Sequence, residues 1–320
     1  MLGNKSHDWK RGGRLVLLKL NILKLIVFRI SFCLCLLSTV FSCYLLTDTK
    51  KVQIKPKPIL DSATTPYRAY WVGHATVLLK FNDIWILTDP IWNDNLLYTF
   101  GRHREPGIEF TDLPPIDIVI VSHVHLDHLD TYTLKKISKN AHLILPKGAP
   151  SFDSYGFKKV SYVRNGDTIE FGKTQVVSVP AQHFGGRWAI DNFWDGEPYT
   201  GYVITNGLVS VYFAGDTGYN TKDFKEIGAK YKIDLALIPF GPYRGKLFGS
   251  DLGNTVHVSP KGAMQILRDV NAKKMIPIHH GTFYANPIKE IVYVKDAIQE
   301  SDLKERVFLM EQGQSITFAP

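Results

Sequence analysis

Four residues of metal-binding type fall within six consecutive positions of this chain. Residues 122–130 read Ser-His-Val-His-Leu-Asp-His-Leu-Asp, which includes His123, His125, Asp127 and His128. Imidazole nitrogen and carboxylate oxygen are ligands that zinc prefers, and four of them on one short loop need a cation to neutralise and hold them. A polar surface loop rich in histidine is the alternative, but that reading suits a lone histidine better than this spacing. The segment is therefore predicted to be a metal site.

An apolar stretch precedes these ligands. Residues 116–121 read Ile-Asp-Ile-Val-Ile-Val, which predicts a strand buried on both faces, with the ligands at its carboxyl end. Side chains at positions i and i+2 of an extended chain share a side, so His123 and His125 are expected to serve one metal. A turn after them would direct Asp127 and His128 toward a second metal.

Two metals need about six or seven protein ligands, so other parts of the chain must contribute. Three further segments place candidate donors just past apolar strands, where open sheets present functional groups. These are His183 in Pro-Ala-Gln-His-Phe, Asp216 in Ala-Gly-Asp-Thr-Gly, and His279 with His280 in Ile-Pro-Ile-His-His-Gly-Thr-Phe. Taken singly, Asp216 could cap a turn and His183 could be an ordinary loop residue. Their shared position at strand ends favours one common site.

The order of the motifs identifies a family. His-x-His-x-Asp-His, a strand-end His, Gly-Asp-Thr-Gly and Ile-His-x-Gly-Thr-Phe follow one another as in the metallo-β-lactamase-fold hydrolases, which this chain resembles. Trp-Val-Gly-His-Ala-Thr at 71–76, Leu-Thr-Asp-Pro at 87–90 and Pro-Ala-Gln-His at 180–183 are similar to the branch containing N-acylphosphatidylethanolamine-hydrolysing phospholipase D and its bacterial relatives. The resemblance runs from about residue 70 to residue 283.

The resemblance implies a complete ligand set for two Zn²⁺ ions or another pair of divalent transition metals. One ion would be held by His123, His125 and His183, the other by Asp127, His128 and His279, and Asp216 would bridge them. The family has Trp where this chain has His280. That histidine is therefore expected to be a neighbour of the site and not a ligand.

Four more residues are expected to support the site or the substrate. Asp89 would accept a hydrogen bond from a ligand imidazole and fix its tautomer, and His74 would either do the same or shape a turn. His257 matches a substrate-side histidine of the phospholipase branch, although Ser259 stands where the family has an acidic residue. His257 and Tyr219 are the candidates to bind the substrate and protonate a leaving alkoxide.

The implied chemistry is hydrolysis. Two divalent ions about 3.5 to 4 Å apart can share a water whose pKa falls from about 15.7 toward roughly 7, and the resulting hydroxide is the nucleophile. The same ions stabilise charge on a carbonyl or phosphoryl oxygen. Asp127 would be catalytic if it touches both metal and water, because it would then orient the hydroxide and later carry its proton.

Three classes of function follow. The first is a membrane-associated phospholipase D-type phosphodiesterase acting on N-acylphosphatidylethanolamine-like lipids, and the second is a hydrolase of a small soluble ester or lactone. A non-catalytic or nucleic-acid-processing protein is the third. An apolar entrance to the site would favour a lipid substrate. A narrow polar pocket with Arg or Lys facing the metals would favour a small substrate. The aromatic candidates for such an entrance are Trp188, Phe193, Trp194, Tyr199, Phe240 and Phe248.

Positive charge is concentrated near the amino end. The net charge is +8, but residues 1–58 hold eleven Lys or Arg against two acids, and the remainder holds 27 against 28. The globular part therefore gives no electrostatic reason to expect a nucleic-acid partner.

The amino-terminal charge pattern predicts a membrane anchor. A basic region, residues 1–29, precedes the uncharged apolar residues 30–46, and the polar linker 47–58 follows. This order favours a single-pass segment over a buried helix, with the catalytic domain on the non-cytoplasmic side. A cleaved signal peptide leading to secretion and lipid attachment at Cys43 are the alternatives.

Residues 59–320 are predicted to form one α/β hydrolase domain. Strands are predicted at 70–80, 84–88, 116–121, 142–145, 159–163, 174–179, 201–205, 209–213, 235–239 and 274–278, and helices at 131–139, 222–230, 259–270 and 287–300. Ser259 before Pro260 predicts an N-cap with proline in the first turn. Two sheets with helices outside, a four-layer αβ/βα sandwich of the metallo-β-lactamase fold, fit this series.

Overall fold

The computed structural model describes residues 24, 27, 29–31, 52–59, 65–96, 100–149, 151, 155–186, 199–241, 252–253, 255–283 and 287–319. The chain divides into a unit of residues 1–49 and a unit of residues 50–320, and every element given below belongs to the second. Within the described residues, no helix has both the length and the apolar character to cross a bilayer. The predicted membrane segment, residues 30–46, lies almost wholly outside the described residues and stays a prediction.

The second unit contains strands and helices in alternation. The strands are β1 (Tyr67–Gly73), β2 (Thr76–Phe81), β3 (Ile84–Thr88), β4 (Asn95–Leu96), β5 (Phe100–Gly101), β6 (Ile118–Ile120), β7 (His142–Pro146), β8 (Lys159–Val163), β9 (Thr168–Phe171), β10 (Thr174–Val179), β11 (Gly201–Thr205), β12 (Ser210–Phe213), β13 (Leu235–Pro239), β14 (Lys274–Ile278) and β15 (Ser315–Thr317). The helices are α1 (Thr131–Lys136), α2 (Thr221–Lys230), α3 (Pro260–Asp269) and α4 (Pro287–Gln299).

The strands form two large sheets. The first has the order β15-β1-β2-β3-β6-β7-β8 and the second β14-β13-β12-β11-β10-β9, while β4 and β5 make a separate ribbon. Pairing is antiparallel from β15 to β3 and parallel from β3 to β8. In the second sheet β9 to β12 are antiparallel and β12 to β14 parallel. Parallel strands at the centre explain the continuous apolar run around β6, which has neighbours on both sides and is buried on both faces.

The hydrophobic core has three layers of contact. Side chains from the inner faces of both sheets, such as Ile120 and Phe213, form one cluster between them. Leu134 of α1 packs on the outer face of the first sheet. Phe224 and Leu267, from α2 and α3, pack on the outer face of the second sheet. The arrangement is the expected four-layer sandwich, which confirms the α/β fold prediction.

Two helix starts follow from capping chemistry. The carboxylate of Asp130 accepts hydrogen bonds from the backbone N–H groups of Tyr132 and Thr133, which begins α1 directly after the ligand-rich loop. Ser259 accepts from the N–H of Gly262 and is followed by proline in the first turn, as predicted for α3.

The strand predicted at residues 70–80 is wrong as a single element. The chain instead turns back between Gly73 and Thr76, so that β1 and β2 pair antiparallel. His74 in this turn has φ +53°, a left-handed conformation that the apolar pattern does not reveal. α1 also ends at Lys136, before the predicted residue 139, and the Lys139 ammonium donates to the Leu134 carbonyl beyond its last turn.

Part of the predicted linker belongs to the second unit. The backbone N–H of Val52 donates to the carbonyl of His103, and that of Lys57 donates to the carbonyl of Gly107. His103 in turn donates its backbone N–H to the carbonyl of Thr282. Residues 52–57 are thus bonded to the loop after β5, and that loop is bonded to the one that follows β14.

Candidate metal centre

The seven predicted ligands converge at one edge of the sandwich. The loop after β6 carries His123, His125, Asp127 and His128, at the carboxyl end of a parallel strand of the first sheet. The other three donors, His183, Asp216 and His279, follow β10, β12 and β14 of the second sheet. Both sheets therefore supply donors to the same place.

His123, His125 and His183 make up the first donor group. The Nδ1 atom of His125 lies 2.9 Å from Nε2 of His123 and 3.2 Å from Nε2 of His183. The three ring centroids are 4.5 to 4.8 Å apart. Three nitrogens thus lie close together, and they belong to the residues that the resemblance assigned to one ion.

Asp127, His128 and His279 make up the second donor group. The Nε2 atoms of His128 and His279 are 3.0 Å apart, and their rings are stacked with centroids 4.9 Å apart. Asp127 Oδ2 lies 3.4 Å from Nε2 of His279 and 3.8 Å from Nε2 of His128. All three side chains are buried, so few water molecules can reach them to form hydrogen bonds with their polar atoms.

Asp216 lies between the two groups. Its Oδ2 atom is 3.2 Å from Nε2 of His279 and 3.4 Å from Nε2 of His128, and its carboxylate is also within 4.8 Å of the donor atom of His183. The preceding Gly215 has φ +60°, and a Cβ there would lie 2.4 Å from Cβ of Ser122. Only glycine allows this strand end to approach the ligand-rich loop so closely.

Asp89 orients imidazoles of both groups. Its Oδ2 atom accepts hydrogen bonds from Nδ1 of His128 and from the hydroxyl of Ser122, both at 2.6 Å. The Ser122 hydroxyl accepts in turn from Nδ1 of His123 at 2.9 Å. In the neutral form with its proton on Nδ1, each imidazole would direct the Nε2 lone pair into its donor group, which is the tautomer a metal requires. The hydrogen bond predicted for Asp89 is thus present, and its effect on a bound metal stays a prediction.

The donor chemistry fits metal cations. His183 donates Nδ1–H to the carbonyl of Val256 at 2.9 Å, so its Nε2 also presents a lone pair. His123 and His183 then both direct lone pairs at Nδ1 of His125, which has one proton at most to donate. Within the described residues, buried Oδ1 of Asp216 has no hydrogen-bond partner. Nitrogen lone pairs that face another nitrogen at short distance are unfavourable, and so is a buried carboxylate oxygen without a hydrogen bond. A bound cation would satisfy both.

Burial makes the first group neutral. It lowers the pKa of His123 well below the ordinary value, that of His125 to about 4 and that of His183 to about 3. Neighbouring imidazoles lower these values further. Near pH 7 all three are in the uncharged form that binds metal.

The second group carries opposite charges. Burial alone would lower the pKa of His128, but the carboxylates of Asp216 and Asp127 raise it well above the usual range. Burial would likewise raise the pKa of both carboxyls, but His128 and His279 hold them well below their usual range. Without a cation, imidazole protons supply the positive charge that two buried carboxylates need.

The other residues predicted around the site, His257, Tyr219 and His280, lie at different distances from the donor groups. Nδ1 of His257 lies 3.6 Å from Oδ2 of Asp216, and its side chain is 18% exposed, so it faces both the donors and solvent. The Tyr219 hydroxyl donates instead to the carboxylate of Asp269 on α3. His280 is buried with its ring 4.7 Å from that of Trp71 and belongs to neither donor group, as expected.

The entrance residues are partly described. Tyr199 pairs with the backbone of His123, and its ring centroid is 6.4 Å from that of His183. Phe240 is wholly buried in the cluster behind the second sheet, so it does not line an entrance. The other aromatic candidates, Trp188, Phe193, Trp194 and Phe248, lie outside the described residues.

Sequence reasoning missed Ser122 and underestimated His74. Ser122 links Asp89 to His123, and its place directly before the first ligand was the available signal. His74 was expected around the ligands, yet its ring nitrogen lies within 4.8 Å of the donor atoms of the whole second group.

The fold and the donor set define the class of protein. Residues 84–280 match the family model described as a beta-lactamase superfamily domain, which includes all seven donors. The chain belongs to this superfamily, and it is a metal-dependent hydrolase. This confirms the resemblance seen in the motifs.

Individual relatives extend the comparison. N-acyl-phosphatidylethanolamine-hydrolyzing phospholipase D 1 of Caenorhabditis elegans is 32% identical over 264 residues, 75% of this chain and 72% of that protein. A UPF0173 metal-dependent hydrolase of Methanoregula boonei is 32% identical over 256 residues, 78% of this chain and 97% of that protein. The crystal structure of a possible metal-dependent hydrolase from Veillonella parvula has a TM-score of 0.64 at 18% identity, covering 79% of this chain and 99% of that one. This last similarity concerns the fold.

Proposed function

We propose that the protein is a binuclear zinc hydrolase that cleaves N-acylphosphatidylethanolamine-like lipids as a phospholipase D-type phosphodiesterase. The observation that carries the binuclear site is the sharing of Asp216 between two donor groups. Three donors on each side and one carboxylate between them match the number that two ions need. The nematode relative supports the substrate class, because its name states that substrate and 75% of this chain aligns with it.

Bound divalent ions supply Lewis acidity, which makes water a stronger acid and stabilises negative charge on the electrophile. The side chains of this chain then have two tasks. Asp127 presents a carboxylate to the second donor group and, as an acceptor, orients the attacking water and takes up its proton. His257 stands at the exposed side of the donors, where it can donate a proton to the departing alkoxide.

The decisive experiment combines metal analysis with three substrates. Purified protein should contain two zinc ions per chain and hydrolyse N-acylphosphatidylethanolamine in preference to a simple phosphodiester and a lactone. Asp216→Asn should lose both turnover and bound zinc. The matched control is Asp234→Asn, another buried carboxylate that accepts from the N–H of Ser210 and pairs with Lys273 away from the donors. It should keep the zinc.

Each outcome has a definite meaning. Turnover of the lactone alone would refute the lipid phosphodiesterase and indicate a small ester as the substrate. Wild-type protein and Asp234→Asn protein that both bind no metal would refute the proposed metal-dependent mechanism altogether.

The role of His257 has its own test. His257→Ala should lower kcat for the lipid by about 10² to 10⁴, the usual contribution of a general acid, while bound zinc is unchanged. A nitrophenyl phosphodiester, whose leaving group needs no proton, should be cleaved at nearly the original rate. An equal loss with both substrates would contradict proton donation by His257.

We further propose that residues 30–46 anchor the enzyme in a membrane. The charge asymmetry of the flanking segments supports this placement. The catalytic unit would then lie beside a lipid substrate on the non-cytoplasmic side.

A further inference from the structure

His74 occupies an unusual place beside the second donor group. It lies in the turn between β1 and β2, it is 1% exposed, and its φ of +53° is left-handed. A residue other than glycine keeps that conformation only where the surrounding structure enforces it, and such positions cluster at functional sites.

The backbone of His74 is held from three sides. Its N–H donates to the hydroxyl of Thr282 at 3.1 Å. Its carbonyl accepts from the backbone N–H of His279 at 2.9 Å and from the indole N–H of Trp71 at 2.9 Å. His279 itself has φ +59°. The two left-handed residues are therefore joined by a hydrogen bond, and the position of one fixes that of the other.

The side chain of His74 contacts Asp127. Nε2 lies 3.2 Å from Oδ2 of that carboxylate, whereas Nδ1 is buried and, within the described residues, has no hydrogen-bond partner. A neutral imidazole with its proton on Nε2 satisfies this arrangement, because a second proton would be buried without an acceptor. The contact is thus a hydrogen bond from a neutral imidazole to a metal-facing carboxylate.

The ring of His74 lies closer to that of His279 than the rings within one donor group lie to one another. Imidazoles within one donor group have centroids 4.5 to 4.9 Å apart. The ring centroids of His74 and His279 are only 3.9 Å apart, and the two ring planes are tilted by 43° to each other. His74 thus packs closely against the ring of His279.

We propose that His74 is a positioning residue for the second ion. It donates a hydrogen bond to Asp127, packs on the ring of His279 and accepts the backbone N–H of His279. One side chain and its carbonyl thus fix two of the three donors of that group. The proposal rests on the proposed function, because it requires the second group to hold an ion.

The test compares replacements that separate these roles. In full-length protein, His74→Leu fills similar space without a donor and should weaken binding of the second Zn²⁺ by 10- to 100-fold, the usual cost of losing such a contact, with the first ion unaffected. His74→Gln places an amide N–H where Nε2 lies and should restore affinity to within about threefold of the original. His74→Asn tolerates left-handed φ but is too short to reach Asp127, so it should resemble His74→Leu.

The readouts are independent of turnover. Zn²⁺ is titrated against a chelator to give two dissociation constants, and the melting temperature of metal-free protein reports whether each variant folds. His142→Gln is the control, because His142 is a buried imidazole that contacts Ser161 far from the donors; both constants should stay unchanged. Absorption of Co²⁺-loaded protein should keep the same bands in the wild type and in His74→Gln.

Four results would overturn the proposal. In His74→Leu, these are an unchanged dissociation constant for the second Zn²⁺, or equal weakening of the binding of both ions. In His74→Gln, they are affinity for the second Zn²⁺ that does not recover, or Co²⁺ absorption bands that indicate a lost nitrogen ligand. Wild-type protein that binds a single ion would instead refute the binuclear site, and the role of His74 with it.

Discussion

Asp89 shows how one residue can control two donor groups. It is fully buried, accepts from His128 directly, and reaches His123 through the hydroxyl of Ser122. Its other oxygen accepts the backbone N–H of Ser122 at 2.6 Å. The carboxylate therefore fixes an imidazole of each group and the start of the ligand-rich loop at once.

Asp89→Asn should disturb metal binding without removing a ligand. The amide N–H₂ would face Nδ1–H of His128, and the clash would move that proton to Nε2, the nitrogen directed at the second group. We expect zinc affinity to fall by about 10- to 100-fold, measured by chelator competition. Asp117→Asn, at a carboxylate that accepts from the backbone of Trp85, is the control and should bind zinc normally. Normal zinc affinity in Asp89→Asn would contradict the role of this contact.

His142 should make stability depend on pH. Burial, assisted by the charge of Lys159, lowers its pKa from 6.5 to about 4. Between those values the unfolded chain binds more protons than the folded one, so stability is lost as pH falls from 6.5 and the loss levels off below 4. Compared with His142→Gln, the wild type should lose up to about 1.4 kcal/mol of unfolding free energy per pH unit in urea titrations. A difference between the two proteins that stays constant across this range would refute the assignment.

The donors were predictable because residue type and position agree. His183, Asp216 and His279 follow apolar runs, and a carboxylate or imidazole at a strand end already suggests a site. The direction of a side chain is a different matter. Tyr219 comes three residues after Asp216, but its ring packs toward Phe224 and its hydroxyl toward Asp269, contacts that depend on how α3 docks.

Individual strands show where sequence patterns succeed and fail. β13 is a buried run of apolar residues, β10 is rich in β-branched residues with only Gln175 exposed, and both strands have the predicted bounds. β15 is a three-residue edge strand paired with β1, about 250 positions earlier in the chain, and no local pattern indicates such a partner. The turn between β1 and β2 was missed for another reason, since it depends on contacts with the loop after β14.

The loop after β5 should tolerate no side chain at Gly107. A Cβ there would lie 1.9 Å from the backbone nitrogen of Gly313, and both segments are held in place by hydrogen bonds. Gly107→Ala should therefore lower the free energy of unfolding by about 1–3 kcal/mol or more, measured by urea denaturation. Gly101→Ala is the matched control, because its nearest atom is 3.7 Å away, and it should change stability by less than about 1 kcal/mol. Equal effects would contradict the close approach of the two segments.

At the scale of the whole molecule, the sequence divides into parts of different charge. The amino-terminal 58 residues carry the whole excess of Lys and Arg, and residues 59–320 are nearly neutral. The proposed anchor is consistent with this division, and residues 59–320 then have no broad electrostatic preference.

The proposed anchor gives a direct prediction. Full-length protein should sediment with membranes and resist alkaline carbonate, and deletion of residues 30–46 should release it. Protease should degrade the catalytic unit only from the non-cytoplasmic side. A shortened mature chain would instead indicate signal cleavage, and release by Cys43→Ser would indicate a lipid. Release of the intact full-length protein by carbonate would refute the transmembrane segment.

The division of the donors between two sheets has a further consequence. His123 belongs to one sheet and Asp216 to the other, and the interior between them is filled by side chains such as Ile120 and Phe213. Within each donor group, the distance between donors from the two sheets therefore depends on the thickness of this hydrophobic layer. Natural variation among these apolar residues could tune metal preference while every ligand stays the same.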